Sequence, residues 1–199
     1  MGEPYEIIMS PFEVYLAPVS TAFPAINATP AAAWVKLGTG GIDNMDEEGV
    51  TVTHEQSITQ KRTLGSTGPA KVATTEENLS VSFTLVDLTL EQYAKALNGV
   101  TVTDVAAGSG TAGYRSIALR QGRTVSTYAL LVRGVSPYGD GYYAQYQVPV
   151  CYQSDNPAPV FSKGDAAALK FTFTAVEDPN AATEAARFGL LVAQDAAPV

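Results

Sequence analysis

The chain has 199 residues, 46% of them hydrophobic and 16% charged, enough apolar material for a packed core and too much for a disordered tail. Lys and Arg number 12 against 20 Asp and Glu, a formal net charge of −8, which argues against a body that wraps nucleic acid by neutralising phosphates. One Cys and one His exclude an intramolecular disulfide, a Cys-rich zinc site and any mechanism that needs two imidazoles.

From the N-terminus, residues 1–10 carry Glu3 and Glu6 but no basic residue, and the apolar run is only Ile7-Ile8-Met9. No secretory signal is expected from such a start. Glu6 also stands where a myristoylation pattern needs Ser or Thr. No stretch approaches about 18 consecutive apolar residues, so a soluble product made in a cytoplasm is expected. The glycosylation patterns at Asn27 and Asn78 would then stay unused.

Strands are predicted at residues 12–16 and 34–37, separated by an Ala/Pro-rich surface excursion over 17–33. Asp43, Asp46, Glu47 and Glu48 form the densest acidic run. They lack the spacing and turn glycine of a calcium loop and read as a solvated loop. Residues 49–58 alternate as a strand, with Val50 and Val52 opposite Thr51, Thr53 and Glu55. His54 sits beside Glu55, but no GxSxG elbow or other local signature supplies a nucleophile. His54 therefore reads as a polar-face or interface residue.

Residues 59–77 read as a long loop with Gly65, Gly68 and Pro69. It holds Lys61, Arg62 and Lys71, a quarter of the basic residues. Loops of that length tend to be functional. Residues 78–86 form the clearest strand. Leu79, Val81, Phe83 and Leu85 alternate with Asn78, Ser80, Ser82 and Thr84, which puts the apolar side chains on one face. Thr89 and Gln92 form a capping box, and Leu90, Tyr93, Ala94 and Leu97 follow helical spacing up to a C-terminal Gly99.

Residues 108–113 match GxGxxG, but the sequence after them reads as a strand over 116–119 rather than a helix. A β-loop is expected there, not a dinucleotide site. Residues 128–135 and 142–150 flank a turn with an Asp-Gly step and predict an antiparallel hairpin. Cys151 follows in an apolar setting that suits a buried thiol. Tyr138, Tyr142, Tyr143, Tyr146 and Tyr152 cluster around this hairpin. Residues 168–176 repeat the alternation, with Leu169, Phe171 and Phe173 opposite Lys170, Thr172 and Thr174. Residues 180–199 read as a helix and strand or as a docking tail, with Ala-rich 181–186 and apolar 188–192. Together these predict a mainly β (α+β) fold, a β-barrel or sandwich of antiparallel strands with one flanking helix, in a single domain over 1–199.

The order of elements carries a resemblance. Trp34-Val35-Lys36-Leu37-Gly38 leads into the acidic loop and a Thr-rich strand. Then come the basic loop with Leu64-Gly65-Ser66-Thr67-Gly68-Pro69, the Ser/Thr-alternating strand and the capped helix. This order resembles the major tail (tail tube) proteins of long-tailed bacteriophages over nearly the whole chain. The resemblance implies a tube domain alone, without the C-terminal immunoglobulin-like domain of some relatives. It implies hexameric rings stacked into a hollow virion tube that conducts DNA, with no catalysis, no cofactor and no metal. The implied partners are other copies of the chain, the tape measure, terminator and distal tail proteins, and DNA only as transient cargo, with no membrane anchoring. Thr51, Thr53, Glu55, Ser80, Ser82, Thr84, Thr172 and Thr174 would line the lumen. Lys61, Arg62, Leu64 and Lys71 would reach neighbouring subunits from a loop that orders on assembly, with the acidic run at 43–48 as a candidate partner.

Other function classes separate cleanly from this one. A soluble β-sandwich would bind carbohydrate or protein through the Tyr-rich hairpin and stay monomeric. A carboxylate-only hydrolase needs two suitably spaced acids, and no pair is singled out. A tail terminator would form closed single rings.

Overall fold

The computed structural model describes residues 9–38, 44–139, 141–164 and 167–198. Within them, ten strands and one α-helix follow in order: β1 (Met9–Pro18), β2 (Val35–Lys36), β3 (Met45–Arg62), β4 (Pro69–Leu85), α1 (Leu90–Ala96), β5 (Val102–Val105), β6 (Tyr114–Ile117), β7 (Thr127–Val135), β8 (Tyr143–Gln153), β9 (Leu169–Ala175) and β10 (Leu190–Ala193). Eight strands join one antiparallel sheet in the order β2-β1-β7-β8-β9-β4-β3, with β10 added to β8. A single edge of β8 serves two partners. β10 takes Ala144 to Gln147, and β9 takes Cys151 to Gln153.

Period-two alternation builds the core. Leu79, Val81, Phe83 and Leu85 of β4 and Leu169, Phe171 and Phe173 of β9 share one face and are buried. The rings of Phe83, Phe171 and Phe173 stack with centroids 5.4, 6.1 and 5.8 Å apart. Val14 and Leu16 of β1, Leu130 and Val132 of β7, and Val148 and Cys151 of β8 pack into the same cluster. Strands from both ends of the sheet order thus enclose one core, as in a sandwich. The ends approach each other where Phe12, Val50 and Val52 meet around a cavity of about 190 Å³. Burial pushes the Cys151 thiol up to about 12, so this cysteine acts as a small hydrophobe.

The other face of β1 and β7 is also covered. Ala17, Trp34, Ala129 and Leu131 form a second cluster with Tyr15 and Phe23. The segment between β1 and β2 lies over it, held in part by the Trp34 indole N–H donating to the Ala22 carbonyl at 3.1 Å. The predicted surface excursion is a lid on the sheet. Trp34 itself precedes β2, which is only two residues long.

Helix α1 starts as expected, the Thr89 hydroxyl accepting from the Gln92 amide at 3.3 Å. The reciprocal half of the capping box is not made, since Gln92 Oε1 is buried without a partner among the described residues. Asn98 (φ 64°) shares the left-handed exit with Gly99 (φ 71°), because Asn tolerates that conformation better than most residues. Around 108–113, Gly108 and Thr111 exchange backbone hydrogen bonds at 3.0 and 3.1 Å and β6 follows directly. The glycines make a tight turn with no helix behind it. The predicted strand at 116–119 begins earlier, at Tyr114, and pairs with β5, a partner the sequence reading lacked.

Residues 59–77 depart most from the sequence expectation. They are not a loop. β3 and β4 stay paired from Glu55↔Asn78 through Thr59↔Ala73 and Lys61↔Lys71 to Arg62↔Pro69, so only residues 63–68 turn. Both faces of this ribbon lie outside the core and are mostly polar, so no sustained hydrophobic alternation marks it. Its Ile, Val and Thr residues still favour extended backbone.

Candidate functional site

The polar side of the sheet follows from the same alternation. Register pairs Thr51 with Ser82, Thr53 with Ser80 and Glu55 with Asn78 across β3 and β4. It pairs Ser80 with Thr174, Ser82 with Thr172 and Thr84 with Lys170 across β4 and β9. Thr51, Thr53, Glu55, Ser80, Ser82, Thr84, Thr172 and Thr174 therefore share one three-strand face, backed by the Phe core. At one end the Thr172 hydroxyl donates to Asp155 at 3.2 Å and the Thr174 hydroxyl to Ser154 at 2.8 Å. The Lys170 ammonium lies 3.3 Å from Asp155. Burial alone would raise the Asp155 carboxyl, but the Asn156 amide, Lys170 and the Thr172 hydroxyl outweigh it and lower its pKa. Short hydroxyls and the Lys170–Asp155 ion pair give a surface that hydrates well, with Glu55 as its one unpaired charge among the described residues.

The second feature is the ribbon. Beyond Ser80, β4 is bonded to β3 alone, and residues 54–78 are exposed, Gly68 apart. A free two-stranded ribbon is marginal in water. A bulge between Ser57 and Ile58 re-aims the outer half. Ile58 and Val72, 55% and 54% exposed, then share one face, while Lys61 and Lys71 oppose each other on the other. Like charges directly opposite are unfavourable within one subunit. The Arg62 guanidinium donates to the Thr67 carbonyl at 2.9 Å and to Gln60 at 3.2 Å. Among the described residues, no carboxylate forms an ion pair with Lys61, Arg62 or Lys71, and Leu64 projects fully exposed at the turn.

Other sequence candidates fall elsewhere. His54 pairs with Leu79 and shares its face with Val50 and Val52, so it lies on the core side where the core ends, not on the polar face. Period two places it there. Asp46, Glu47 and Glu48 are exposed and open β3 rather than a loop; Asp43 lies outside the described residues. The tyrosines do not converge. Tyr146 packs against the main core, whereas Tyr143 points the opposite way, its ring under the Arg133 guanidinium at 5.0 Å.

Arg133 and Gln145 are the residues that sequence reasoning missed. Buried Arg133 donates to the carbonyls of Ala28 at 2.7 Å, Ala25 at 3.1 Å and Ile26 at 3.2 Å, and to Gln145 Oε1 at 3.0 Å. Gln145 Nε2 donates to the Pro24 carbonyl at 3.1 Å. Burial lowers the Arg133 pKa. The signal was present: one charge inside the run Leu130-Leu131-Val132-Arg133-Gly134-Val135.

Among the described residues no helix is long and apolar enough to cross a membrane. No curated protein matches the chain. The family model described as phage tail tube protein matches residues 6–191. The chain therefore belongs to the phage tail tube protein family, a structural and self-associating component of the virion tail rather than an enzyme.

Proposed function

We propose that copies of this chain close into hexameric rings that stack into a hollow tube, assembled in the host cytoplasm, through which DNA is ejected. The observation that carries this reading is the continuous Ser/Thr face over β3, β4 and β9. A subunit needs one apolar face for its own core, and a channel needs the opposite face small, polar and non-adhesive. In the tube that face lines the lumen, and the −8 formal charge of each copy opposes retention of phosphates. Tape measure, terminator and distal tail proteins are the partners at the lumen and the two ends.

The ribbon is the inter-subunit arm. Its Lys61, Arg62 and Lys71 meet acidic surface on a neighbour, which sets register and speeds association more than it adds affinity. Lys61→Glu with Arg62→Glu should leave the monomer folded and abolish tubes seen by electron microscopy. Normal tubes from this double variant would remove the ribbon from the mechanism.

A further inference from the structure

We propose that the ribbon tip of one copy seats in a cleft of a second copy, between the root of the second copy's ribbon and its β10 strand. This rests on the reading of the ribbon as an inter-subunit arm, and it names where the arm docks.

The cleft has a volume of about 640 Å³. Tyr146, Val148 and Phe188 give it an apolar lining, and Leu190 and Leu191 on its β10 side are 53% and 51% exposed. On the face it shares with His54 and Leu79, its charged residue is Glu77; Glu55 borders it from the polar face, and no Lys or Arg lines it. Neither carboxylate forms an ion pair among the described residues. Glu77 accepts one bond, from Gln56 Nε2 at 3.3 Å. The tip has the complementary character, with Leu64 protruding between cations that have no carboxylate ion-pair partner among the described residues. An apolar knob ringed by positive charge matches an apolar socket edged by negative charge.

The occupant must come from another molecule. The paired ladder from Glu55↔Asn78 to Arg62↔Pro69, at about 3.3 Å per residue, holds the tip on the order of 25 Å from its own cleft. Knob and socket are different surfaces of one chain, so the contact is head-to-tail and propagates. A symmetric dimer cannot satisfy it with one patch.

Charge exchange tests this directly. A tip variant, Lys61→Glu with Arg62→Glu, carries acid on both knob and socket. A cleft variant, Glu77→Lys, carries base on both. Each alone should remain unassembled with a wild-type melting temperature, and an equimolar mixture should form tubes in electron micrographs. Tubes from the cleft variant alone, or no tubes from the mixture, would overturn the docking site while leaving the arm reading intact. Tubes from the tip variant alone would overturn both. Should a charge variant fail to fold, Leu64→Cys with Leu190→Cys gives a second measurement, since Cys151 is buried. Under mild oxidation of assembled protein, mass spectrometry should find peptides joined between positions 64 and 190. Absence of that link in intact tubes would overturn the site.

Discussion

Arg133 holds the segment over the outer face of β7 with its guanidinium spread over three backbone carbonyls and one amide. A buried cation is stabilising only when its donors are satisfied. Arg133→Met keeps apolar bulk but strands those acceptors, and should cost about 2–4 kcal/mol in urea unfolding. A loss below about 0.5 kcal/mol would show that the lid stays in place without it. Glu13 is the nearby pH-sensitive group. Burial by itself would raise its carboxyl, but hydrogen bonds from Lys36 at 2.7 Å and Tyr15 at 2.6 Å outweigh it and hold the pKa below the ordinary 4.5. Burial and the Glu13 bond push Tyr15 up to about 12. A depressed carboxylate contributes stability above its unfolded pKa, and that contribution is lost as pH falls through 4.5 towards the folded value. Wild type should therefore lose more stability than Glu13→Gln between neutral pH and about pH 3. Identical acid profiles would remove Glu13 from the account. The sequence exposes Arg133 as a lone charge in an apolar run, but not its carbonyl partners, which come from more than a hundred positions away.

The strands were legible wherever one face is buried. Leu79 to Leu85 and Leu169 to Phe173 alternate because the core selects every second residue, and their hydroxyl face is the by-product. The outer ribbon was not legible, because neither of its faces meets a core in the monomer and Gly65, Gly68 and Pro69 read as loop. β10 depends on a different local device. Gly189 has φ 125°, and a Cβ there would collide with the Gln147 carbonyl oxygen on β8. Gly189→Ala should strain this junction by about 1–3 kcal/mol and free β10 from β8. Hydrogen exchange would then quicken at Leu190 to Ala193 while the amides of β9 stay protected. Unchanged exchange at β10 would mean that the backbone shifts to admit the methyl group.

At the scale of the whole molecule, the chain combines a packed Phe core, a hydroxyl face and a projecting two-stranded ribbon. The net charge of −8 argues against a nucleic-acid wrapper and is compatible with the proposed conduit, because a neutral or acidic wall displaces few phosphate counterions. The basic residues of the ribbon stand apart from the hydroxyl face, which leaves them to the proposed assembly contact. Sequence order was enough to suggest the tail tube family. The subunit contacts were not readable, since they join surfaces that one chain never brings together. The most direct test is a cryo-electron microscopy reconstruction of tubes grown from purified protein at high concentration. It should place Ser80, Ser82, Thr172 and Thr174 on the wall of a central channel, with each ribbon reaching a neighbouring copy. Tubes with that face outward, or a protein that stays monomeric at every concentration, would contradict the account.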